Sequence, residues 1–191
     1  VQADSGMLNL INFQGIRADG KGVSSIYFAS GGYGALLGLD GASTLPSPSN
    51  MTGTPLEVWE EFTGIVVKEK SLITDSGGAG KYRGGLGQKI VLSNETGNNM
   101  IVSCLSGRTE FPARVIAGGM SGGLRKVEIN GVTVHSKGRY VLSPGDELTL
   151  LEPGGGGFGD PSARAPERVR EDILSGAISA DAASNIYKMR N

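Results

Sequence analysis

Glycine is the feature of this sequence that most limits what the chain can fold into. The chain has 32 glycines among 191 residues, more than twice the usual frequency of roughly 7%. Many of them lie in three clusters, at Asp75–Gly87 (DSGGAGKYRGGLG), Gly118–Gly123 (GGMSGG) and Gly154–Gly159 (GGGGFG). Good strand sequences separate the clusters, so we predict ordered glycine loops on a β scaffold rather than a flexible linker.

The segments between the clusters are rich in residues that favour strands. Asn130-Gly131 predicts a tight hairpin because both positions tolerate positive φ. Asn94–Asn99 is interpreted as a hairpin loop, and Ser143–Asp146 as a proline–glycine turn. The spacing predicts a mainly β (α+β) fold, an antiparallel glycine-loop-rich sandwich or barrel. The strand-type stretches are Met7–Phe13, Ser25–Ser30, Ile65–Lys68, Lys70–Thr74, Gln88–Ser93, Met100–Leu105, Arg125–Ile129, Val132–His135, Tyr140–Leu142 and Glu147–Leu151.

One short internal helix and a C-terminal helical pair complete the prediction. Thr54-Pro55-Leu56-Glu57 combines an N-cap threonine, a proline at the first helical position and a glutamate three residues after the cap, so a helix should run through Phe62. Pro166 begins a second helix that Gly176 ends, and Ser179 caps a third. The predicted apolar positions of these two helices are Val169, Ile173, Leu174, Ala182, Ala183, Ile186 and Tyr187.

Composition narrows the range of partners. The formal net charge is −1, and no apolar run reaches the roughly 18 residues that a membrane-spanning helix needs. We therefore expect no nucleic-acid partner and no membrane partner. Cys104 is the only cysteine, which excludes an internal disulfide and favours a cytoplasmic protein. The chain begins at Val1 in sequence typical of a domain interior, so we expect it to be part of a longer protein.

The glycine motifs do not satisfy the requirements of nucleotide binding. A phosphate-binding P-loop needs Gly-Lys followed by serine or threonine, but Gly80-Lys81 is followed by Tyr82. Gly154, Gly156 and Gly159 match the dinucleotide fingerprint as a string. That motif must open a helix inside a βαβ unit, and here Asp160-Pro161 follows instead.

Asp75, Lys81 and Arg83 are the candidate site residues, although no catalytic residue can be assigned. Lys81 and Arg83 could meet a carboxylate or phosphate, with glycine amides completing an anion site. The alternative, which spacing favours, is a loop lying tightly on a neighbouring sheet with its charges in solvent. His135 is expected to be a structural histidine on a hairpin strand, and Cys104 an inert buried thiol. One histidine and one cysteine cannot form a His/Cys metal cluster.

Taken in order, the motifs resemble the C-terminal part of hydantoinase B-type proteins. The resemblance rests on Thr54–Glu60 (TPLEVWE), Asp75–Gly87, the Gly118–Gly123 cluster, Pro144-Gly145-Asp146 and Glu152–Pro161 (EPGGGGFGDP). It spans about Asn50 to Tyr187. The family includes B subunits of N-methylhydantoinases, the matching half of 5-oxoprolinase, and large subunits of acetone and acetophenone carboxylases.

The resemblance implies a division of labour between subunits. An A-type partner would bind ATP with Mg²⁺ and activate a substrate carbonyl. The B-type subunit would then open a cyclic amide or, in the carboxylases, carboxylate a ketone. This chain would form the last third of the B-type subunit and pack against its remainder, where a divalent metal would lie; no metal or cofactor site is carried over to this chain. A non-catalytic interface module remains the third alternative.

Two departures from the family pattern leave the substrate open. Pro46–Ser49 stands where relatives often have a histidine, and Phe111–Val115 stands where a Pro-Pro-Trp-like element is usual. We divide the chain into an irregular β segment at 1–53 that continues from a preceding part, a glycine-rich β domain at 54–161 and a C-terminal helical tail at 162–191.

Overall fold

The computed structural model describes residues 3–6, 8–45, 55–115 and 117–189. They form a mainly β fold of two antiparallel sheets with few helices. A four-stranded sheet has the order β2-β1-β5-β8, and a five-stranded sheet has the order β3-β4-β9-β6-β7. The strands are β1 (Asn9–Ile16), β2 (Gly22–Ala29), β3 (Ile65–Leu72), β4 (Gln88–Asn94), β5 (Met100–Leu105), β6 (Lys126–Ile129), β7 (Val132–Val134), β8 (Lys137–Leu142) and β9 (Glu147–Leu151).

The two sheets share one apolar core, as in a sandwich. Alternating residues of β1 and β5 point inward from the first sheet, and β4 and β9 supply the facing layer. Trp59 closes one side of this core, with its ring edge-on to Phe13 and Tyr27 at 5.7 and 4.9 Å between centroids. The largest fully buried apolar side chains are Phe13, Ile11, Ile65, Ile90, Leu92, Met100, Leu142, Leu148, Leu150 and Val102.

Trp59 lies on the predicted internal helix, α1 (Leu56–Thr63). Pro55 precedes the helix as its N-cap residue instead of occupying the first helical position, and Thr54 lies outside the described residues, as does Pro46–Ser49. Gly64 ends the helix with a φ of 74°, a left-handed conformation that suits glycine at a helix C-terminus.

Two predicted connections join strands of different sheets. The Asn94–Asn99 segment is not a hairpin loop, because β4 and β5 belong to opposite sheets. The Asn94 side chain explains the difference: its amide donates to the carbonyls of Asn98 and Leu142, both at 2.9 Å, which bends the chain across the sandwich. Ser143–Asp146 is a turn as predicted, and it links β8 to β9 in the other sheet.

The remaining turn and helix predictions hold with one exception. Asn130 and Gly131 both have positive φ and connect β6 to β7 as a hairpin. The C-terminal pair consists of α2 (Pro166–Leu174) and α3 (Ala180–Asn185), with the Ser179 hydroxyl accepting the N-cap hydrogen bond from the Ala182 amide. Leu174 was predicted on the apolar face but is 87% exposed, because α2 ends there and the chain turns away.

Candidate functional site

The glycine clusters fold together into one body, which we call the glycine layer. It comprises residues 31–35, 76–87, 118–123 and 153–158. Segment 153–158 lies at its centre: the Gly155 amide donates to the Gly85 carbonyl at 2.9 Å, and the Gly155 carbonyl accepts from the Gly78 amide at 2.8 Å. Segment 31–35 joins on one side through a 2.8 Å bond from the Gly85 amide to the Tyr33 carbonyl. Segment 118–123 joins on the other through the Met120 amide and the Ala79 carbonyl, 2.7 Å apart.

Close approach of backbones explains why the layer needs glycine. A Cβ atom added to Gly85 would overlap the Ala42 carbonyl and lie 2.8 Å from the Tyr33 nitrogen. A Cβ on Gly155 would overlap the backbone of Tyr33 and lie 2.7 Å from the Gly34 nitrogen. Real Cβ atoms essentially never approach within 3.0 Å, so alanine would force the segments apart.

Eight of these glycine amides already have backbone acceptors and cannot cradle a phosphate. They are the amides of Gly32, Gly78, Gly84, Gly85, Gly123, Gly155, Gly156 and Gly157. The run at Gly154–Gly159 leads into a short 3₁₀ turn at Pro161–Ala163 capped by Asp160, rather than into a nucleotide-binding helix. Within the described parts of the chain, no three His, Cys, Asp or Glu side chains could hold a metal ion. The glycine amides with backbone acceptors are therefore not available to a phosphate group.

Arg83 meets a carboxylate of its own chain. Its Nε lies 3.3 Å from Asp172 of α2, its Nη1 donates to the Gly84 carbonyl at 2.8 Å, and its side chain is 11% exposed. Its amide also donates to Asp40 at 2.7 Å. Arg164 bridges the same two carboxylates: Nη1 lies 2.8 Å from Asp40 and Nη2 lies 2.7 Å from Asp172. Arg168 also pairs with Asp40, with its Nη1 at 3.3 Å. We call Arg83, Arg164, Arg168, Asp40 and Asp172 the arginine cluster.

Electrostatics in the arginine cluster favour the ionised forms. Burial would raise the pKa of Asp40, but the hydrogen bonds and charge of Arg164 outweigh it and lower that pKa below its usual value. Burial would likewise lower the pKa of Arg164, but Asp40 and Asp172 outweigh it, raise that pKa and hold the guanidinium in its charged form. Burial raises the pKa of neighbouring Tyr187 to about 12, so its phenol stays neutral.

Among the described residues, the other two candidates, Asp75 and Lys81, do not form ion pairs with the arginine cluster. Asp75 has a positive φ of 61°, and its carboxylate accepts the Ser179 amide at 2.9 Å, in front of α3. Lys81 is exposed, with its ammonium 5.9 Å from the centre of the Tyr82 ring. No described carboxylate forms an ion pair with Lys81. Each of the three residues has a different described contact, and Arg83 is paired with Asp172 instead of being solvated, which is what the alternative interpretation expected.

A second buried charged group was not found from the sequence. Glu152 follows β9 and is fully buried; its two oxygens accept from Asn9 Nδ2 and Arg125 Nε, both at 2.7 Å. Burial raises the pKa of Glu152, while the positive charge of Arg125 opposes the shift. Ser106 donates to Asn9 at 2.6 Å and extends the network. Glu152 and Arg125 are 27 residues apart, so no local spacing signals their pairing.

Two residues set aside as structural behave as expected. His135 is exposed, and its Nδ1 lies 2.7 Å from the Lys137 carbonyl. Cys104 is 1% exposed, and burial raises the pKa of its thiol to about 11, so it is inert at neutral pH. In the described residues no helix is long and apolar enough to span a membrane.

The protein is a β-sandwich with a glycine layer and, beside that layer, the arginine cluster. Comparison with known proteins shows which family has this sequence and fold. The family model described as hydantoinase B/oxoprolinase matches residues 1–161. An uncharacterized protein of Methanocaldococcus jannaschii is 36% identical over 141 residues, covering 72% of this chain and 25% of its own length. Caprolactamase subunit beta of Pseudomonas jessenii is 29% identical over 174 residues, covering 86% of this chain and 30% of that subunit.

The chain belongs to the hydantoinase B/oxoprolinase family. It spans about a quarter to a third of the length of these relatives. The crystal structure of ATP-dependent caprolactamase from Pseudomonas jessenii shares its fold, with a TM-score of 0.81 at 23% identity over 98% of this chain and 35% of that one. Nucleotide-free acetone carboxylase shares it with a TM-score of 0.76 at 20% identity, over 97% of this chain and 30% of that one.

Proposed function

We propose that this chain is the C-terminal portion of the B-type subunit of an ATP-dependent cyclic amidase. The observation that carries this proposal is the similarity to caprolactamase subunit beta over 174 residues. Caprolactam, 5-oxoproline and hydantoin, the substrates that the relatives' names indicate, all contain a cyclic amide. Similarity to acetone carboxylase rests on a shared fold at 20% identity, so ring hydrolysis is the better supported chemistry.

In this proposal the chemistry is divided between subunits. An A-type partner phosphorylates the amide carbonyl oxygen with ATP, which makes the carbonyl carbon a better electrophile. Water then adds to that carbon, and the ring C–N bond breaks as the nitrogen takes up a proton and leaves as an amine. A second water hydrolyses the resulting acyl phosphate, so that one ring opened yields one carboxylate, one phosphate and one ADP. In this proposal the chain contributes a rigid wall made by its closely packed glycine layer, and the reacting groups are supplied by the rest of the B-type subunit.

The test is turnover by the complete assembly. The full B-type polypeptide, purified with its A-type partner, is incubated with ATP and Mg²⁺ and with hydantoin, 5-oxoproline or caprolactam in turn. We expect ring-opened product and phosphate in equal amounts with at least one substrate. Bicarbonate-dependent consumption of acetone or acetophenone, with none of the cyclic amides opened, would instead establish the carboxylase alternative.

Of the three candidates, Lys81 is the one whose substitution can distinguish a functional role from a structural role. Arg83 and Asp75 hold the C-terminal helices, so replacing them would disturb structure and activity together. Lys81→Ala removes an exposed ammonium from the edge of the glycine layer without breaking an ion pair. If Lys81 contacts substrate or partner phosphate, kcat/KM falls at least tenfold in an intact complex. Lys70→Ala, an exposed lysine on β3, is the matched control; equal activity of both variants would support a purely structural role.

A further inference from the structure

The outer face of the four-stranded sheet carries a group of exposed apolar side chains, beside polar residues such as Asn12, Ser24 and Ser103. We call the side chains of Leu10, Ile26, Phe28, Ile101, Leu105 and Val141 the apolar face. Leu105 is 66% exposed, Val141 58%, and Ile26 and Phe28 46% each. Phe28, Leu10 and Leu105 are opposite one another in register on β2, β1 and β5, so they form a continuous row across three strands.

The strand sequences show that this face is built to be covered. β5 reads MIVSCL and β2 contains IYFA, so apolar residues occupy both faces of each strand. Strands with one face in water normally alternate apolar and polar residues, and continuous apolar runs are typical of strands buried on both faces. The five-stranded sheet provides the contrast. Its outer surface carries the ion pairs Lys68–Glu95 and Lys89–Glu69, at 3.0 and 2.8 Å.

A cavity extends the apolar face at one end. Its volume is about 930 Å³, and Leu10 and Leu105 form its boundary with the face. Phe111, which is 76% exposed, also lines this cavity. The charged groups beside the face on β8 are both cationic, Lys137 and Arg139, and Lys137 also lines the cavity. An occupant complementary to this surface presents apolar side chains, with carboxylates opposite β8.

We propose that the apolar face packs against the part of the B-type polypeptide that lies outside this chain. This inference rests on the proposed function, under which the chain is one portion of such a subunit. Both relatives are about three times as long as this chain, because 72% of the chain matches 25% of one and 86% of it matches 30% of the other. Most of that polypeptide is therefore available to cover the face, and a permanent contact within one chain accounts for its apolar character.

Cysteine labelling in the full B-type polypeptide tests the inference. Ile26→Cys and the nearly isosteric Ser24→Cys place thiols on the apolar face. Val132→Cys on β7 and Ser71→Cys on β3 are the matched controls, at exposed positions of the other sheet. Maleimide labelling is measured at neutral pH in the native protein and after denaturation, with the parent polypeptide subtracted. The native Cys104 is buried and should contribute little.

We expect labelling at positions 24 and 26 to be at least tenfold slower than at 71 and 132 in the polypeptide without its A-type partner, at every protein concentration. Equally fast labelling at all four positions would overturn the inference. So would protection that appears only with the A-type partner, or only at high concentration, since these outcomes assign the face to a subunit contact or to a second copy. Ser24→Cys tests the inference even if Ile26→Cys misfolds. Labelling requires no turnover, so a failed amidase assay leaves this result independent.

Discussion

Single glycines matter here because backbone packs directly against backbone. In most sandwiches side chains fill the space between layers, at about 10 Å. In the glycine layer the amides and carbonyls of neighbouring segments bond to one another, with Gly155 held between Gly85 and Gly78. Any side chain pointing into such a contact has no room, so the cost of substitution depends on what its Cβ would touch.

Gly85→Ala should therefore be far more harmful than a glycine replacement in open space. The new methyl group would overlap the Ala42 carbonyl, and we expect a loss of about 3 kcal/mol or more in the free energy of unfolding. Gly22→Ala is the control, because a Cβ there meets no atom within 4 Å and the position lies in a strand. Urea unfolding of both variants measures the difference; similar midpoints would contradict the close-packing argument.

At the scale of secondary structure elements, the C-terminal helices are attached by charge as well as by apolar contact. Val169, Ile178, Ala183 and Tyr187 pack on Ala79 of the glycine layer in a small cluster of their own. The arginine cluster adds a specific lock, in which Arg164 of the segment before α2 reaches Asp40 in an early loop. Because this apolar cluster is small, we expect the ion pairs of the arginine cluster to determine whether α2 and α3 stay packed on the glycine layer.

Arg164→Ala should release α2 and α3 while the sandwich stays folded. Removing the guanidinium leaves Asp40 and Asp172 close to each other without their shared partner, and breaking a buried pair costs about 3 kcal/mol. Arg170→Ala is the control, since its pair with Glu167 is exposed, with side chains 60% and 75% accessible, and is worth less than about 0.5 kcal/mol. Amide hydrogen exchange should show faster exchange in α2 and α3 only for Arg164→Ala, and equal protection in both variants would refute it.

Acidification should also release α2 and α3, because it protonates the Asp40 carboxylate. The Asp40 pKa is lower in the folded chain than its ordinary value of 3.8. Its contribution to docking is therefore complete above pH 3.8 and is lost as the pH falls through the folded value. Hydrogen exchange across this range should show α2 and α3 opening on acidification. Asp40→Asn, which cannot titrate, should lack that step, and an unchanged step in this variant would exclude Asp40 as its origin.

At the scale of the whole molecule, a buried polar network ties the two sheets together at one end. Asn9 and Ser106 adjoin β1 and β5 in one sheet, whereas Arg125 and Glu152 adjoin β6 and β9 in the other. The apolar core holds the two sheets face to face, but apolar contacts have no fixed direction and do not set the position of one sheet along the other. Hydrogen bonds of defined direction can do so, and they also anchor segment 153–158 as it leaves β9 for the glycine layer.

Glu152→Gln should destabilise the entire chain. The carboxyl oxygens accept from Asn9 and Arg125, and a glutamine would turn its NH₂ group towards one of these donors. We expect a loss of about 3 kcal/mol in the free energy of unfolding. Glu147→Gln makes the same change at the exposed first residue of β9 and should leave stability nearly unaltered. Fluorescence of Trp59, the single tryptophan, follows the transition; matching midpoints would show that the network contributes little.

Local sequence was a good guide wherever the chemistry was local. Asn130-Gly131, Ser179 and Ile65–Lys68 carry their turn, cap and strand preferences within a few residues, and the structure follows them. Local sequence failed as a guide where the interacting residues are far apart along the chain. The paired hairpin expected at Asn94–Asn99 gave way to a crossing because Asn94 bonds to Leu142, 48 residues away. The Glu152–Arg125 pair and the Arg83–Asp172 pair have no signature in either partner's neighbourhood.

The sequence alone determined that the glycine clusters are ordered loops on an antiparallel β scaffold, and their order along the chain pointed to the hydantoinase B/oxoprolinase family. The first follows from residue type and spacing, since glycine sets where backbones can meet and alternation sets which side chains face a core. The second rests on the resemblance of the ordered motifs to that family. Only the tertiary structure decided what those clusters meet. It placed them against one another, used their amides in backbone bonds and turned Arg83 towards α2, because close packing and charge pairing depend on distances between segments that are far apart in the chain.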